Sequence, residues 1–292
     1  MQNECRQCII NKNIDRFPEG TPEDVIASYR EAVLAYACEE GATAPGAAFK
    51  IKQLRKELFH EKDPDFTGIK RHFNELMLTY AGPVREKIEE AEDPLGLAVR
   101  YALTGNFIDF SALARVEEEK LAELLEKTQE IQLDGAVYER FRNEIRGAKQ
   151  AVYVTDNCGE IVMDKLLIEE MLRLNPSLKI TALVRGSTKG NDATMEDAEQ
   201  VALTAVVPVI GNGSAIEGTL LSDISEEAAS LLKEADFILA KGQANYETMN
   251  GCGLNVYYLF MCKCLLFTER FQVAQFSGIL TSEKMGIPHF RT

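Results

Sequence analysis

No apolar stretch of about 18 residues occurs in this chain of 292, so no membrane-spanning helix is expected. The first eight residues, Met1 to Cys8, are polar and lack the apolar region of a secretion signal, which points to a soluble cytoplasmic protein. Positive charge is in short supply. Lys and Arg number 32 against 46 Asp and Glu, a net charge of −14, and no basic cluster offsets it locally. Such a surface repels nucleic acid and anionic membranes, so neither is expected as a partner. A small anionic substrate would need local help from a metal ion, a lysine or a helix N-terminus. Histidines number only 3, and none of His60, His72 and His289 is near Cys158 in sequence, which leaves a cysteine nucleophile without its base. The 7 cysteines are odd in number and irregularly spaced, against a secreted disulfide framework. Cys5 with Cys8 (C-x-x-C) and Cys262 with Cys264 (C-x-C) have the count for a structural four-thiolate metal site tying the two ends together. On a helix, however, Cys262 and Cys264 would point apart, and buried or free thiols are the competing reading. Internal repeats and low-complexity linkers are also missing.

The chain is long enough for one large domain or two, and its 46% apolar and 27% charged residues are ordinary for a globular protein. Residues 1–148 read as helices without an interrupting strand pattern. Thr21-Pro22-Glu23-Asp24 has the form of a helix start, with Thr21 as N-cap and Pro22 in the first turn, followed by Val25, Ile26, Tyr29, Val33 and Leu34 at helical spacing. Further amphipathic patterns cover 47–60, 66–91, 94–103, 116–131 and 136–147. Residues 149–292 change character. Short apolar runs at 151–155, 180–184, 203–210 and 237–240 alternate with helical segments at 161–174, 195–201 and 225–234. Strands alternating with helices imply βαβ units and a mostly parallel sheet. The apolar segment 254–268 reads as one buried helix crossing the sheet. We therefore expect a helical N-terminal part, 1–148, and an α/β part, 149–292, that carries the site.

Each predicted strand runs into a polar, glycine-containing stretch. These are Asp156-Asn157-Cys158-Gly159-Glu160, then 185–194, then Gly211-Asn212-Gly213-Ser214, then 241–247. In an open α/β sheet, ligands bind outside the carboxyl ends of the strands. Asp156 and Asn157 offer hard oxygen ligands for a divalent cation, and the N–H groups of Gly159 and Glu160 behind them could hold an anion. The competing reading is that Asp156 and Asn157 cap the helix. Asp192 taken alone reads as a cap for the helix at 194–201, Lys241 as a surface charge and Glu160 as a first-turn acid complementing the helix dipole. Four such ends on one rim favour a site.

These residues resemble the DUF89 family of damage-control metal phosphatases, and most closely its prokaryotic branch with an N-terminal C-x-x-C. The matching segments are Cys5-Arg6-Gln7-Cys8, Gly105-Asn106-Phe107-Ile108-Asp109, Thr155-Asp156-Asn157-Cys158-Gly159-Glu160, Val184-Arg185-Gly186, Asn191-Asp192-Ala193-Thr194 and Lys241-Gly242-Gln243-Ala244-Asn245-Tyr246-Glu247. The resemblance spans nearly the whole chain. It implies a three-layer α/β/α Rossmann-like sandwich beside the helical part, and hydrolysis of small phosphorylated metabolites with Mn²⁺, Co²⁺, Ni²⁺ or Mg²⁺. It also implies Asp156, Asn157 and Asp192 as metal ligands, Lys241 as the phosphate-binding lysine, and Asn106 and Asn245 near the pocket. The loop before Asp192, Ser187-Thr188-Lys189-Gly190, departs from the family's proline and apolar residues, a difference that bears on substrate choice.

Such a residue set suits phosphomonoester hydrolysis. A cation held by Asp156, Asn157 and Asp192 can withdraw charge from a phosphoryl oxygen and orient water. Lys241 and the N–H groups of Gly159 and Glu160 could hold the equatorial oxygens, with Glu160 as general base. Attack by an aspartate usually needs a second acid two residues on, where this chain has Cys158. Two rivals stand beside hydrolysis. One is a non-catalytic metal- or nucleotide-binding module, the other a methyltransferase using a Rossmann-like crevice. No G-x-G-x-x-G or comparable glycine-rich donor loop follows the first strand, which weighs against dinucleotide binding and methyl transfer.

Overall fold

The structure, a computed structural model, describes residues 1–107, 118–187 and 190–285. Ile108 and Asp109, Val116 at the start of the helical pattern 116–131, Thr188, Lys189 and His289 lie outside the described residues. The helical part comprises α1 (Asn3–Asn13), α2 (Glu23–Cys38), α3 (Ala44–Phe59), α4 (Thr67–Glu89), α5 (Pro94–Phe107), α6 (Glu118–Glu126) and α7 (Gly135–Gly147). Then follow β1 (Gln150–Val154), α8 (Glu160–Leu174), β2 (Lys179–Val184), α9 (Met195–Gln200), β3 (Val209–Gly211), α10 (Glu226–Glu234), β4 (Phe237–Lys241), α11 (Gln243–Met249), β5 (Val256–Met261), α12 (Leu265–Phe271) and β6 (Gly278–Ser282). Among the described residues no helix is long and apolar enough to cross a membrane.

The strands form one six-stranded sheet in the order β3-β2-β1-β4-β5-β6. Its first five strands run parallel, and β6 pairs antiparallel with β5. Chain progression reverses between β1 and β4, and crevices for ligands open at such a switch point. Alternation along β1 makes the three layers. Ala151 and Tyr153 join a core shared with α4, α5, α7 and α8, whereas Val152 and Val154 face a second core with α10, α11 and α12. The first core therefore draws residues from both parts of the chain: Phe141 of α7 meets Phe237 and Tyr257 with ring centroids 5.9 and 5.1 Å away. A third cluster of Tyr29, Val33 and Ile51 joins α2 to α3.

Three expectations are corrected. Segment 203–210 is not one strand: Leu203–Ala205 is a single 3₁₀ turn and only Val209–Gly211 pairs, at the sheet edge after Pro208, which has no N–H for a ladder. Segment 254–268 is not one helix but β5 followed by α12. The run Val-Tyr-Tyr-Leu-Phe-Met is buried on both faces, so it shows no alternation, and periodicity cannot distinguish it from a buried helix. Thr21 does not cap α2. Its hydroxyl donates to the Pro18 carbonyl (2.7 Å), and Pro22 occupies the cap position.

Phe141 is fully buried and bridges the helical part and the sheet. Phe141→Ala is expected to lower unfolding free energy by about 3–5 kcal/mol. Urea denaturation followed by circular dichroism checks this, and a loss below about 1 kcal/mol, typical of a surface position, would contradict it.

Candidate active site

The loops after β1 and β2 are zipped together, and the zipper sets the site. Cys158 N–H donates to the Asn191 carbonyl (2.8 Å) and Ala193 N–H to the Asp156 carbonyl (2.7 Å), flanking an antiparallel bridge between Asn157 and Asp192. Asp156, Asn157 and Asp192 are thereby side by side on the wall of one cavity of about 680 Å³. This is the size range of small-molecule sites. None of the three caps a helix. α8 starts after Gly159 with no side-chain cap, and α9 is capped by Thr194 through a reciprocal box with Asp197.

Each donor is oriented by a partner behind it. Asn157 Nδ2 donates to Asp156 Oδ2 (2.8 Å) and Glu160 Oε2 (3.0 Å), while its Oδ1 accepts from Asn191 Nδ2 (2.7 Å). Two carboxylates on one side of the amide fix which end is nitrogen and present the oxygen on the other. Asp192 Oδ2 accepts from Arg185 Nε (2.6 Å), and Arg185 is itself held by the Gly218 carbonyl. Asp156 Oδ2 accepts from Asn106 Nδ2 (2.9 Å), which also donates to Glu160 Oε2 (2.9 Å), while Asn106 Oδ1 accepts from Met261 N–H (2.9 Å). The Asp156 carboxylate lies on Gly242. A Cβ there would fall 1.9 Å from Asp156 Oδ2, and φ of +81° also favours glycine.

Lys241 sits one layer deeper and is fully buried. Its ammonium donates to Glu160 Oε1 (2.5 Å), Asp164 Oδ1 (2.7 Å) and the Ala102 carbonyl (3.0 Å), so its three N–H groups are engaged inside the protein. The two carboxylates hold it well above the usual lysine range, outweighing burial, which opposes the charge. Burial pushes the Asp164 carboxyl up, against the pull of Lys241. Tyr153 also donates to Asp164 Oδ1 (2.7 Å).

In this structure the groups expected to contact phosphate are engaged within the fold. In this conformation Lys241 does not face the cavity. Gly159 N–H donates to Asn74 Oδ1 (2.6 Å) and Glu160 N–H to the Cys158 carbonyl (2.7 Å). Asn245 donates to the carbonyls of Thr155 and Lys241 and accepts from Thr219. Glu160 is completely buried, with both oxygens occupied. The reason is general: a buried donor or acceptor must be paired, and these groups find their partners within the fold. Gly159, Glu160, Asn106, Asn245 and Lys241 thus form a supporting layer behind Asp156, Asn157 and Asp192.

The four-thiolate centre is not formed. Cys262, just after β5, is buried in the second core, whereas Cys5, Cys8 and Cys264 line the site cavity. Among the described residues no group of three or more His, Cys, Asp and Glu side chains has the geometry to hold a metal. The oxygen set of Asp156, Asn157 and Asp192 counts only two carboxylates, its third donor being an amide. Burial, then Glu247, pushes the Cys5 thiol up to about 12. Cys158 is buried in the first core, and burial raises its thiol too, which removes it as a nucleophile.

Lys70 and Asn74 were not foreseen. Both are buried polar residues on the face of α4 that also carries Phe73 and Met77. Polar residues interrupting an apolar stripe at helical spacing were the available signal. Besides the thiols, Glu4, Lys12, Asn191, Glu217, Gln243, Glu247 and Lys263 carry the cavity's remaining polar groups.

Fold and site define an α/β protein with an oxygen-donor pocket at the switch point of its sheet. A family profile described as the damage-control phosphatase ARMT1-like domain matches residues 1–278. A damage-control phosphatase of Pyrococcus horikoshii is 30% identical over 271 residues, 90% of this chain and 91% of that protein. A damage-control phosphatase of Archaeoglobus fulgidus is 30% identical over 83% of this chain and 84% of its own length. The crystal structure of a DUF89 family protein from Pyrococcus horikoshii superposes with a TM-score of 0.74 at 26% identity, covering 97% of this chain and 99% of that one. The chain belongs to the ARMT1-like, or DUF89, damage-control phosphatase family.

Removing the Lys241 charge leaves Glu160 and Asp164 buried without it. Lys241→Met is expected to lower stability by about 3–5 kcal/mol, the range for breaking a buried pair. Adding Asp164→Asn is expected to restore part of that loss. Guanidinium denaturation of the single and double variants measures both, and a single-variant loss below about 1 kcal/mol would mean the pair contributes no more than a surface one.

Proposed function

We propose that this protein is a metal-dependent phosphatase that hydrolyses small phosphorylated metabolites, sugar phosphates or damaged phosphometabolites, by attack of water. The observation that carries the reading is the convergence of Asp156, Asn157 and Asp192 on one cavity wall, each oriented by a partner behind it. The donor set fits a hard divalent ion such as Mg²⁺ or Mn²⁺: it is all oxygen, carries two negative charges and includes no thiolate. Co²⁺ and Ni²⁺ are the other candidates from the family resemblance. When bound, the ion would supply Lewis acidity at a phosphoryl oxygen and a lowered pKa for a bound water.

The chain's own residues do the positioning. Asn106 and Asn157 hold Asp156 from one side, and the Gly242 backbone supports it from below. Arg185 engages Asp192 Oδ2 beside the cavity that Asp192 lines. Lys241 offsets negative charge behind the site, which eases approach of an anionic phosphate. Glu160 contributes by orienting the Asn157 amide, a role its contacts support more directly than general base catalysis. The net charge of −14 and the cavity's size favour a small metabolite over nucleic acid.

Hydrolysis of p-nitrophenyl phosphate by chelator-stripped protein, with Mn²⁺, Co²⁺, Ni²⁺ or Mg²⁺ restored, tests the proposal. Activity is expected to return with metal and to fall to background in Asp156→Asn and Asp192→Asn. A folded protein inactive with all four ions, or variants as active as the parent, would leave the binding-module reading in its place.

A further inference from the structure

One polar network outside the donor set touches both loops that carry it. Asn74 of α4 accepts the Gly159 N–H on its Oδ1 (2.6 Å), two residues beyond Asn157. Its Nδ2 donates to Asp197 Oδ1 and Gln200 Oε1, both at 2.8 Å. One turn earlier on the same helix, Lys70 Nζ donates to the backbone carbonyl of Asp192 (2.8 Å) and to Thr194 Oγ1 (3.3 Å), and pairs with Asp197 Oδ2 (2.6 Å). Asp197 Oδ2 also accepts from the N–H and the hydroxyl of Thr194, both at 2.8 Å. All four side chains are buried, with Asn74 completely so.

We propose that Lys70, Asn74, Thr194 and Asp197 are positioning residues that set the separation of the Asp156–Asn157 loop from Asp192, so that α4 tunes cation affinity. The inference deepens the metal reading given above and rests on it. Asn74 holds the first loop and Lys70 the second, while both bind the two oxygens of one carboxylate, Asp197, so the loops share a common reference. A buried charged pair is a poor route to stability, because an apolar contact of equal volume would serve as well or better. What directional bonds add is position. Position matters most where oxygen donors must converge on one ion within a few tenths of an ångström. Lys70 acts through the Asp192 backbone carbonyl and leaves the carboxylate to Arg185, so replacing Lys70 alters where Asp192 sits without removing a partner from its carboxylate.

The experiment is a Mn²⁺ titration of chelator-stripped full-length protein, reading free Mn²⁺ by electron paramagnetic resonance, with thermal unfolding measured in parallel. Asn74→Ala and Lys70→Met are expected to weaken Mn²⁺ binding by about tenfold or more, the range seen when partners of metal ligands are removed. Thr194→Val is expected to weaken it by less, and Thr194→Ser, which keeps the hydroxyl, to restore it. Tyr138→Phe serves as control. It loses a bond to Asp93 away from the site and should lower the melting temperature while leaving Mn²⁺ affinity unchanged. Folded variants that melt earlier but bind Mn²⁺ as tightly as the parent would reduce the network to scaffold and overturn the inference. If Asn74→Ala and Lys70→Met do not fold, the contrast between Thr194→Val and Thr194→Ser decides in the same way. A parent protein that binds no Mn²⁺ would fail the metal reading itself, and the inference with it.

Discussion

The buried ammonium of Lys241 governs the centre of this molecule. Lys241 ends the central strand β4, and its charge lies between Glu160 and Asp164, on successive turns of α8. Taking three charges out of water is expensive unless they satisfy one another, so this group fixes the end of β4, the start of α8 and, through the Ala102 carbonyl, α5 at once. The balance is uneven, with two carboxylates against one cation. Asp164 Oδ2 has no partner among the described residues, and burial raises the carboxyl's pKa accordingly.

From that base the site is built outward by directional contacts. Glu160 receives Lys241 on one oxygen and orients Asn106 and Asn157 with the other. Those two amides both donate to Asp156 Oδ2, and Gly242 gives its carboxylate room. The second loop is joined by the backbone bridge at Asn157 and Asp192 and braced by Arg185. Asn106 and Glu160, which sequence similarity implies as substrate ligands, are here bonded to Asp156 and Asn157.

Much of this was readable in the residues. The change at 148 falls where α7 ends and β1 begins, and the polar stretches at 156–160, 185–194 and 241–247 follow β1, β2 and β4 as expected. Asp156, Asn157 and Asp192 could be named because carboxylate and amide after a strand is a local pattern. Depth was not readable. Lys241 follows four apolar residues just as a surface lysine at a strand end would, and only the tertiary fold places Asp164 and Glu160 against it. Lys70 and Asn74 lie more than 80 residues from the loops they hold, with separations of 122 and 85 to Asp192 and Gly159. The strand β5 was misread because burial on both faces erases the alternation that distinguishes a strand from a buried helix. Of the two readings of the cysteines, free thiols are what the structure shows: the second pair straddles the end of β5 and the cap of α12, which sends Cys262 to the core and Cys264 to the cavity.

The most direct test of the account is where a metal binds. Crystals soaked in Mn²⁺ and measured for its anomalous signal should show one strong peak bounded by the side-chain oxygens of Asp156, Asn157 and Asp192. A peak among Cys5, Cys8 and Cys264 with none at those oxygens would contradict the assignment of the site.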